Sequence, residues 1–215
     1  MTWRWKLAQA AELQWWKNYL RKKEPQAYID WKDAYWRTFL DRLELQVAPG
    51  LRVLDAGCGP AGIFRVLQEQ QVVAVDPLVE AYEAELAIFS KKEHVHCRFV
   101  ALPFEDFQEN HPFDWVFCIN AINHVADLTG SLNRLVDLMK PEGRLVLSID
   151  VHRTAFFKYL LRLLPTDVLH PHQHSLADYE KLVRQAGGTV ERAVCYKKGA
   201  MFDYYVLLIQ KTNAT

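Results

Sequence analysis

The chain is 215 residues long and half hydrophobic, which suits one domain with a full core, or a domain with a helical extension, and excludes a disordered chain. Lysine plus arginine and aspartate plus glutamate number 26 each, so the formal net charge is zero, no basic field exists to track phosphates, and nucleic acid is not an expected partner. No apolar run approaches the roughly 20 residues of a membrane span, none after Met1 reads as a secretory leader, and Cys58, Cys97, Cys118 and Cys195 form no C-x-x-C pair; the expectations are a cytoplasmic protein with no membrane partner, reduced buried thiols and no metal site.

The segment 1–46 reads as two helices. Ala8, Ala11, Trp15 and Tyr19 share one face, Leu13, Trp16 and Leu20 a neighbouring one, and after Glu24-Pro25 the residues Tyr28, Trp31, Tyr35 and Phe39 recur at helical spacing. All but one of the seven tryptophans fall here. Two helices of this length cannot bury so many large side chains against each other, so some of Trp15, Tyr19, Trp31 and Tyr35 must face the rest of the chain or a second copy of it. Ordinary core packing and a lid over a cavity are both open readings, and the expected division is a helical cap, 1–46, on a main domain, 47–215.

The main domain is organised around Val53-Leu54-Asp55-Ala56-Gly57-Cys58-Gly59-Pro60-Ala61-Gly62. A short apolar run breaks at an acidic residue into glycines spaced G-x-G-x-x-G, and Ile63, Phe64, Val66 and Leu67 resume at helical spacing, predicting strand, turn and a helix over 62–68. Dinucleotide sites use this pattern with an acidic residue about twenty positions later, a place Asp76 could fill after Val72-Val73-Ala74-Val75. Asp55 argues against that ligand, because a carboxylate two residues before the first glycine would repel a diphosphate and suits a positive centre instead.

Downstream, strands are predicted at 72–75, 95–100, 115–119 and 144–149, and helices at 78–89 and 131–139, an alternation that signals a parallel sheet covered on both faces. A helix over 176–185 ends at Gly187-Gly188, and strands at 189–196 and 204–210 follow, too close together for a parallel crossover and so expected to form a hairpin. VLDAGCGPAG, Phe113-Asp114-Trp115-Val116-Phe117 with the following Asn120-Ala121-Ile122-Asn123-His124-Val125, and Leu138-Met139-Lys140-Pro141-Glu142-Gly143 together resemble the motifs of class I S-adenosylmethionine-dependent methyltransferases. The last departs from the family's L-x-K-P-G-G turn at Glu142. The resemblance runs from about Leu51 to Ile149, with an echo over 182–187, and it implies a Rossmann-like α/β fold: a mostly parallel seven-stranded sheet with an antiparallel C-terminal strand, here with the N-terminal helical cap.

That resemblance also implies S-adenosyl-L-methionine as cofactor. It assigns Asp55 and the loop residues Gly57, Cys58 and Gly59 to the methionine moiety, Asp76 with Pro77 to the ribose hydroxyls, and Asn120 to the methionine end. A carboxylate suits a vicinal diol because its two oxygens can accept from both hydroxyls. The adenine contact is open, with Phe104 and Glu105 as candidates and Ala101 or Leu102 at the position where the family often carries aspartate. His124, just past the fourth strand, is a candidate general base or a packing residue. His170-Pro171-His172-Gln173-His174 lacks companion carboxylates or cysteines at metal spacing and reads as a loop before the Ser175 cap.

By resemblance the N-terminal helices would close the substrate cavity, with Trp15, Tyr19, His152 and His172 as candidate acceptor contacts. The expected activity is methyl transfer to O or N, less so C, of a small molecule by a monomer or homodimer. The alternatives are a nicotinamide-dependent oxidoreductase and a catalytically silent interaction protein.

Overall fold

The computed structural model describes residues 3–125, 127–152, 174–199 and 202–212. Two compact units divide the chain, Met1–Phe107 and Gln108–Thr215.

The first unit opens with α1 (Trp3–Leu20) and α2 (Pro25–Arg42). α2 begins where the sequence supplies both a cap and a helix-compatible proline: the Glu24 carboxylate accepts from the backbone N–H of Gln26 at 3.1 Å and of Ala27 at 2.6 Å, and Pro25 has no N–H to leave orphaned. Tyr28, Trp36 and Phe39 form its buried face. β1 (Arg52–Ala56) and β2 (Gln71–Val75) run parallel with Val53 opposite Val72, and β2 pairs in parallel with β3 (Cys97–Val100) with Val72 opposite Cys97. The inner strands are apolar on both faces, as strands covered on both sides must be, with Val53, Leu54, Ala74 and Val75 all buried. α3 (Val79–Glu85) follows β2 and is shorter than the predicted 78–89 helix.

The predicted helix over 62–68 does not form. Ile63–Val66 make one 3-10 turn, and the chain enters β2 at Gln71. Ile63, Phe64 and Leu67 are nevertheless buried, so a tight turn satisfies the apolar spacing that suggested a helix.

In the second unit, β4 (Phe113–Cys118) runs parallel to β5 (Met139–His152), with α4 (Leu128–Asp137) between them. α5 (Leu176–Gln185) is entered through a capping box in which Ser175 and Asp178 satisfy each other's backbone N–H groups. β6 (Gly188–Lys197) and β7 (Phe202–Lys211) form the expected hairpin, and β7 lies antiparallel to β5 with Leu147 opposite Leu207. In sheet order the seven strands run β3-β2-β1-β4-β5-β7-β6, the mostly parallel sheet with an antiparallel end that the sequence predicted. Among the described residues no helix is long and apolar enough to cross a membrane.

Candidate active site

The glycine loop is shaped by its own glycines and by two carboxylates. Gly57 and Gly59 have φ of 71° and 57°, the left-handed region that a side chain resists. Gly62 is there for a different reason: its backbone is extended, but a side chain would collide with the Cys58 carbonyl and the Asp55 carboxylate. The backbone N–H groups of Gly57 and Cys58 donate to the Val75 carbonyl at 2.8 and 3.2 Å, which ties the loop to the end of β2.

Asp55 and Asp76 brace this loop from inside. Asp55 Oδ2 accepts from the Phe64 N–H at 3.1 Å, so the residue at the end of β1 also holds the 3-10 turn. Asp76 Oδ2 accepts from the Gly59 N–H and Oδ1 from the Leu78 N–H, both at 2.9 Å. Burial pushes the Asp55 carboxyl up to about 7, with the charge of Asp76 adding to the rise and the Phe64 and Ile63 N–H groups and Lys32 opposing it. Burial likewise pushes Asp76 up to about 6 against the pull of its backbone donors. The Tyr82 hydroxyl also bonds Asp76, and its two oxygens together still keep lone-pair capacity enough to accept a ligand hydroxyl.

The N-terminal helices build the same region. The Trp36 indole Nε1–H donates to the Ala61 carbonyl at 2.9 Å, and Asp33 grips Arg65 of the 3-10 turn through Nε–H at 2.6 Å and Nη2–H at 3.2 Å. From α1, Trp16 lies over Gly59, its Cζ2 3.9 Å from where a Cβ would stand. One turn earlier, Glu12 Oε1 accepts from the Tyr82 hydroxyl at 3.4 Å. Burial raises the Glu12 carboxyl to about 7, the charge of Asp76 adds to this, and bonds from Trp16 and Tyr82 oppose it. Two buried carboxyls with weakened hold on their negative charge therefore brace one glycine loop, and the exposed Glu12 is tied to them through Tyr82.

In the second unit, Asn120 lies two residues past β4 with φ of 56°, exposed, its N–H donating to Ser148 Oγ at 2.7 Å. Asn123, on the turn that follows, is buried; its Nδ2–H donates to Asp150 Oδ2 at 3.0 Å and its Oδ1 accepts from the Tyr179 hydroxyl at 3.1 Å. The amide N–H thereby holds a carboxylate near the carboxyl end of β5, while the amide oxygen is itself held by Tyr179.

A family model described as a methyltransferase domain matches residues 28–193. The chain belongs to the methyltransferase domain family. Curated relatives of this methyltransferase-domain protein include two proteins named ubiquinone biosynthesis O-methyltransferase. The one from Bradyrhizobium diazoefficiens is 30% identical over 144 residues, covering 62% of this chain and 56% of the relative. The one from Xanthomonas campestris pv. campestris is 32% identical over 143 residues, covering 61% and 59%. The match thus spans under two thirds of either relative. Among solved structures, the Burkholderia thailandensis 1,6-didemethyltoxoflavin-N1-methyltransferase, crystallised with 1,6-didemethyltoxoflavin and S-adenosylhomocysteine, superposes with a TM-score of 0.62 at 21% identity, covering 99% of this chain and 92% of its own. An N-methyltransferase from Bradyrhizobium japonicum gives 0.62 at 16% identity, covering 85% and 97%.

For the methyltransferase-domain protein, the structure brings Asp55, Gly57, Cys58, Gly59 and Asp76 together in one loop region, with Pro77 partly exposed beside them. Phe104 is buried in the turn after β3, and Glu105 next to it is half-buried. Trp15 and Tyr19 stack on each other at 4.9 Å on the exposed side of α1, whereas Trp16 and Glu12 face the loop. His124 is exposed, and its neighbour Asn123 is the buried one. His152 ends β5 with its side chain outside the description, and His172 lies outside the described residues. Among the described residues no group of His, Cys, Asp and Glu is arranged to hold a metal ion. The sequence reading missed Glu12, Tyr82, Asn123 and Asp150. Glu12 had one signal, its i, i+4 spacing to Trp16; the others had none.

Proposed function

We propose that this protein is an S-adenosylmethionine-dependent methyltransferase that methylates an oxygen or nitrogen of a small molecule. The observation that carries the reading is the charge of the loop: Asp55 and Asp76 are buried carboxyls pushed toward neutral pH and bonded to a glycine turn whose backbone a ligand can approach. A ligand bringing a sulfonium, an ammonium and two ribose hydroxyls relieves that burial, whereas the diphosphate of a nicotinamide cofactor aggravates it. The names of the curated relatives favour oxygen as the methyl acceptor.

In this reading Asp76, flanked by Pro77, accepts from the ribose hydroxyls. Asp55, Gly57, Cys58, Gly59 and Asn120 hold the methionine portion, and Phe104 and Glu105 border the adenine. Trp15, Tyr19, His124, His152 and His172 are the acceptor-side candidates. The sulfonium supplies the methyl group and an excellent leaving group, so the protein has to align the acceptor atom, take up its proton and keep water out. A cytoplasmic monomer or homodimer belongs to the same proposal and is checked by fractionation and light scattering.

The test is isothermal calorimetry with S-adenosylmethionine, S-adenosylhomocysteine and NAD. Binding of the first two without NAD is expected. Binding of NAD alone overturns the proposal, and cofactor binding without turnover across a broad panel of phenols and amines favours a silent interaction protein.

A further inference from the structure

At the turn joining α1 to α2, Tyr19, Lys23, Glu24, Ala27, Tyr28 and Trp31 line an open cleft of about 320 Å³, and no glycine-loop residue takes part in it. That volume is at the lower end of the range for ligand sites and suits a small molecule. The Tyr19 and Tyr28 rings lie 6.0 Å apart at 80°, and Trp31 stands 5.6 Å from Tyr28, tilted by 40°, so three aromatic planes of different orientation border one space. Trp15 stacks on Tyr19 at 4.9 Å and 7°, which takes up one face of that ring and leaves the other. Core packing does not account for the arrangement: Tyr28 is 5% exposed, but Trp31 is 53% and Tyr19 36% exposed.

A cation of the chain itself already sits in this cleft. Lys23 Nζ lies 4.5 Å from the centre of the Tyr19 ring and 5.9 Å from that of Tyr28. Lys23 forms no ion pair with a carboxylate among the described residues, so ring faces hold it. Arg21 and Lys22, its neighbours in the turn, do not line the cleft. Glu24 adds a fixed negative charge: its two oxygens accept from the N–H groups of Gln26 and Ala27 at 3.1 and 2.6 Å, which anchors the carboxylate without neutralising it. Ring faces and a carboxylate together favour positive charge. A primary ammonium uses such a cleft poorly, because its three N–H donors need acceptors and ring faces offer no lone pairs. An ammonium whose hydrogens are replaced by methyl groups has no donors to satisfy and presents its charge directly to the rings.

We propose that the α1–α2 cleft binds a small quaternary ammonium compound, and that Lys23 is its internal occupant, displaced when the ligand enters. Lys23 is exposed, so its ammonium returns to water when the side chain swings out, and an exposed cation–π contact is a weak one to give up. A trimethylammonium group is broader than the lysine ammonium and reaches the Trp31 wall as well. The exposed aromatic rings at this turn thereby gain a role that packing does not give them.

Choline and its neutral isostere 3,3-dimethyl-1-butanol, titrated against the full chain and followed by ligand-observed NMR, decide it. Choline should saturate, and the isostere, which keeps the shape without the charge, should bind at least about fivefold more weakly. Trp31→Ala should weaken choline binding about two- to fivefold, the worth of one exposed cation–π contact, and Trp31→Phe should restore most of the loss. Lys23→Ala should tighten choline binding by a similar factor, because the occupant is gone. Glu24→Gln keeps a capping oxygen but drops the charge, and should weaken choline without changing the isostere; circular dichroism checks that each variant is folded. Equal affinity for the isostere overturns the proposal, since the cleft is then merely apolar. Failure of choline to saturate either the wild type or Lys23→Ala overturns it too, as does weaker binding in Lys23→Ala. Unchanged choline affinity in both Trp31→Ala and Glu24→Gln places the binding elsewhere and also overturns it.

Discussion

The Asp33–Arg65 pair offers the most direct measure of how far the N-terminal helices hold the glycine loop. Arg65 is 7% exposed and Asp33 19%, and they meet through two hydrogen bonds. Beyond Asp33, the guanidinium reaches His94, whose Nε2 is 3.3 Å from Nη1. Burial, and then Arg65 itself, lower the His94 ring to about 4, so at neutral pH it accepts a bond but brings no negative charge. Asp33→Ala therefore strands a buried cation, which costs about 3–5 kcal/mol, toward the lower end here because Asp33 is partly wet. In a domain whose whole stability is about 5–15 kcal/mol, that is a large fraction, and it corresponds to a fall in Tm of roughly 6–15 °C. Urea denaturation followed by circular dichroism reads the first quantity and a thermal scan the second. The double variant Asp33→Ala/Arg65→Met should recover much of the loss, because removing both charges costs far less than removing one. A shift below about 1 kcal/mol in the single variant, or a double variant no more stable than the single, would refute the reasoning.

Asp76→Ala should weaken S-adenosylhomocysteine binding by roughly 1.5–3 kcal/mol by calorimetry. It should also destabilise the fold, since Asp76 satisfies the N–H groups of Gly59 and Leu78; an unchanged dissociation constant in a folded variant places the ribose elsewhere. Asp55, pushed up to about 7, holds a proton in the folded state that the unfolded chain has released, so its contribution is complete below the ordinary carboxylate range and lost as pH rises through about 7. The cofactor-free protein should then lose about 1 kcal/mol of stability between about pH 6.5 and 8 in urea titrations. His94 acts with the opposite sign, but between about 4 and its ordinary value, below that window, so a flat or rising curve contradicts the assignment. A protein starting near Val47, which tests the division into a cap, 1–46, and a main domain, leaves Arg65 and the Ala61 carbonyl without Asp33 and Trp36. It should lose turnover and aggregate, and a soluble, equally active truncation shows that the helices are dispensable.

Local chemistry was enough to set much of this molecule. β1 falls on the predicted strand before Gly57, because the glycines after it cannot continue a strand. α5 occupies 176–185 as predicted, since Ser175 and Asp178 cap it and Gly187, with φ of 83°, closes it. The short link between β6 and β7 left antiparallel pairing as the only option. Three things depended on tertiary structure. The spacing of Ile63, Phe64, Val66 and Leu67 fits a helix or a single tight turn equally well, and the early start of β2 chose the turn. His124 and Asn123 are adjacent, and only the packing of Tyr179 and Asp150 against Asn123 decided which of the two is buried. Glu12 and Lys32 carry nothing in the sequence that points to the glycine loop, because a charge on an amphipathic helix is ordinarily a solvated one. Partial desolvation and the charges of Asp76 and Asp55 shift their ionisation, and that setting belongs to the folded chain as a whole.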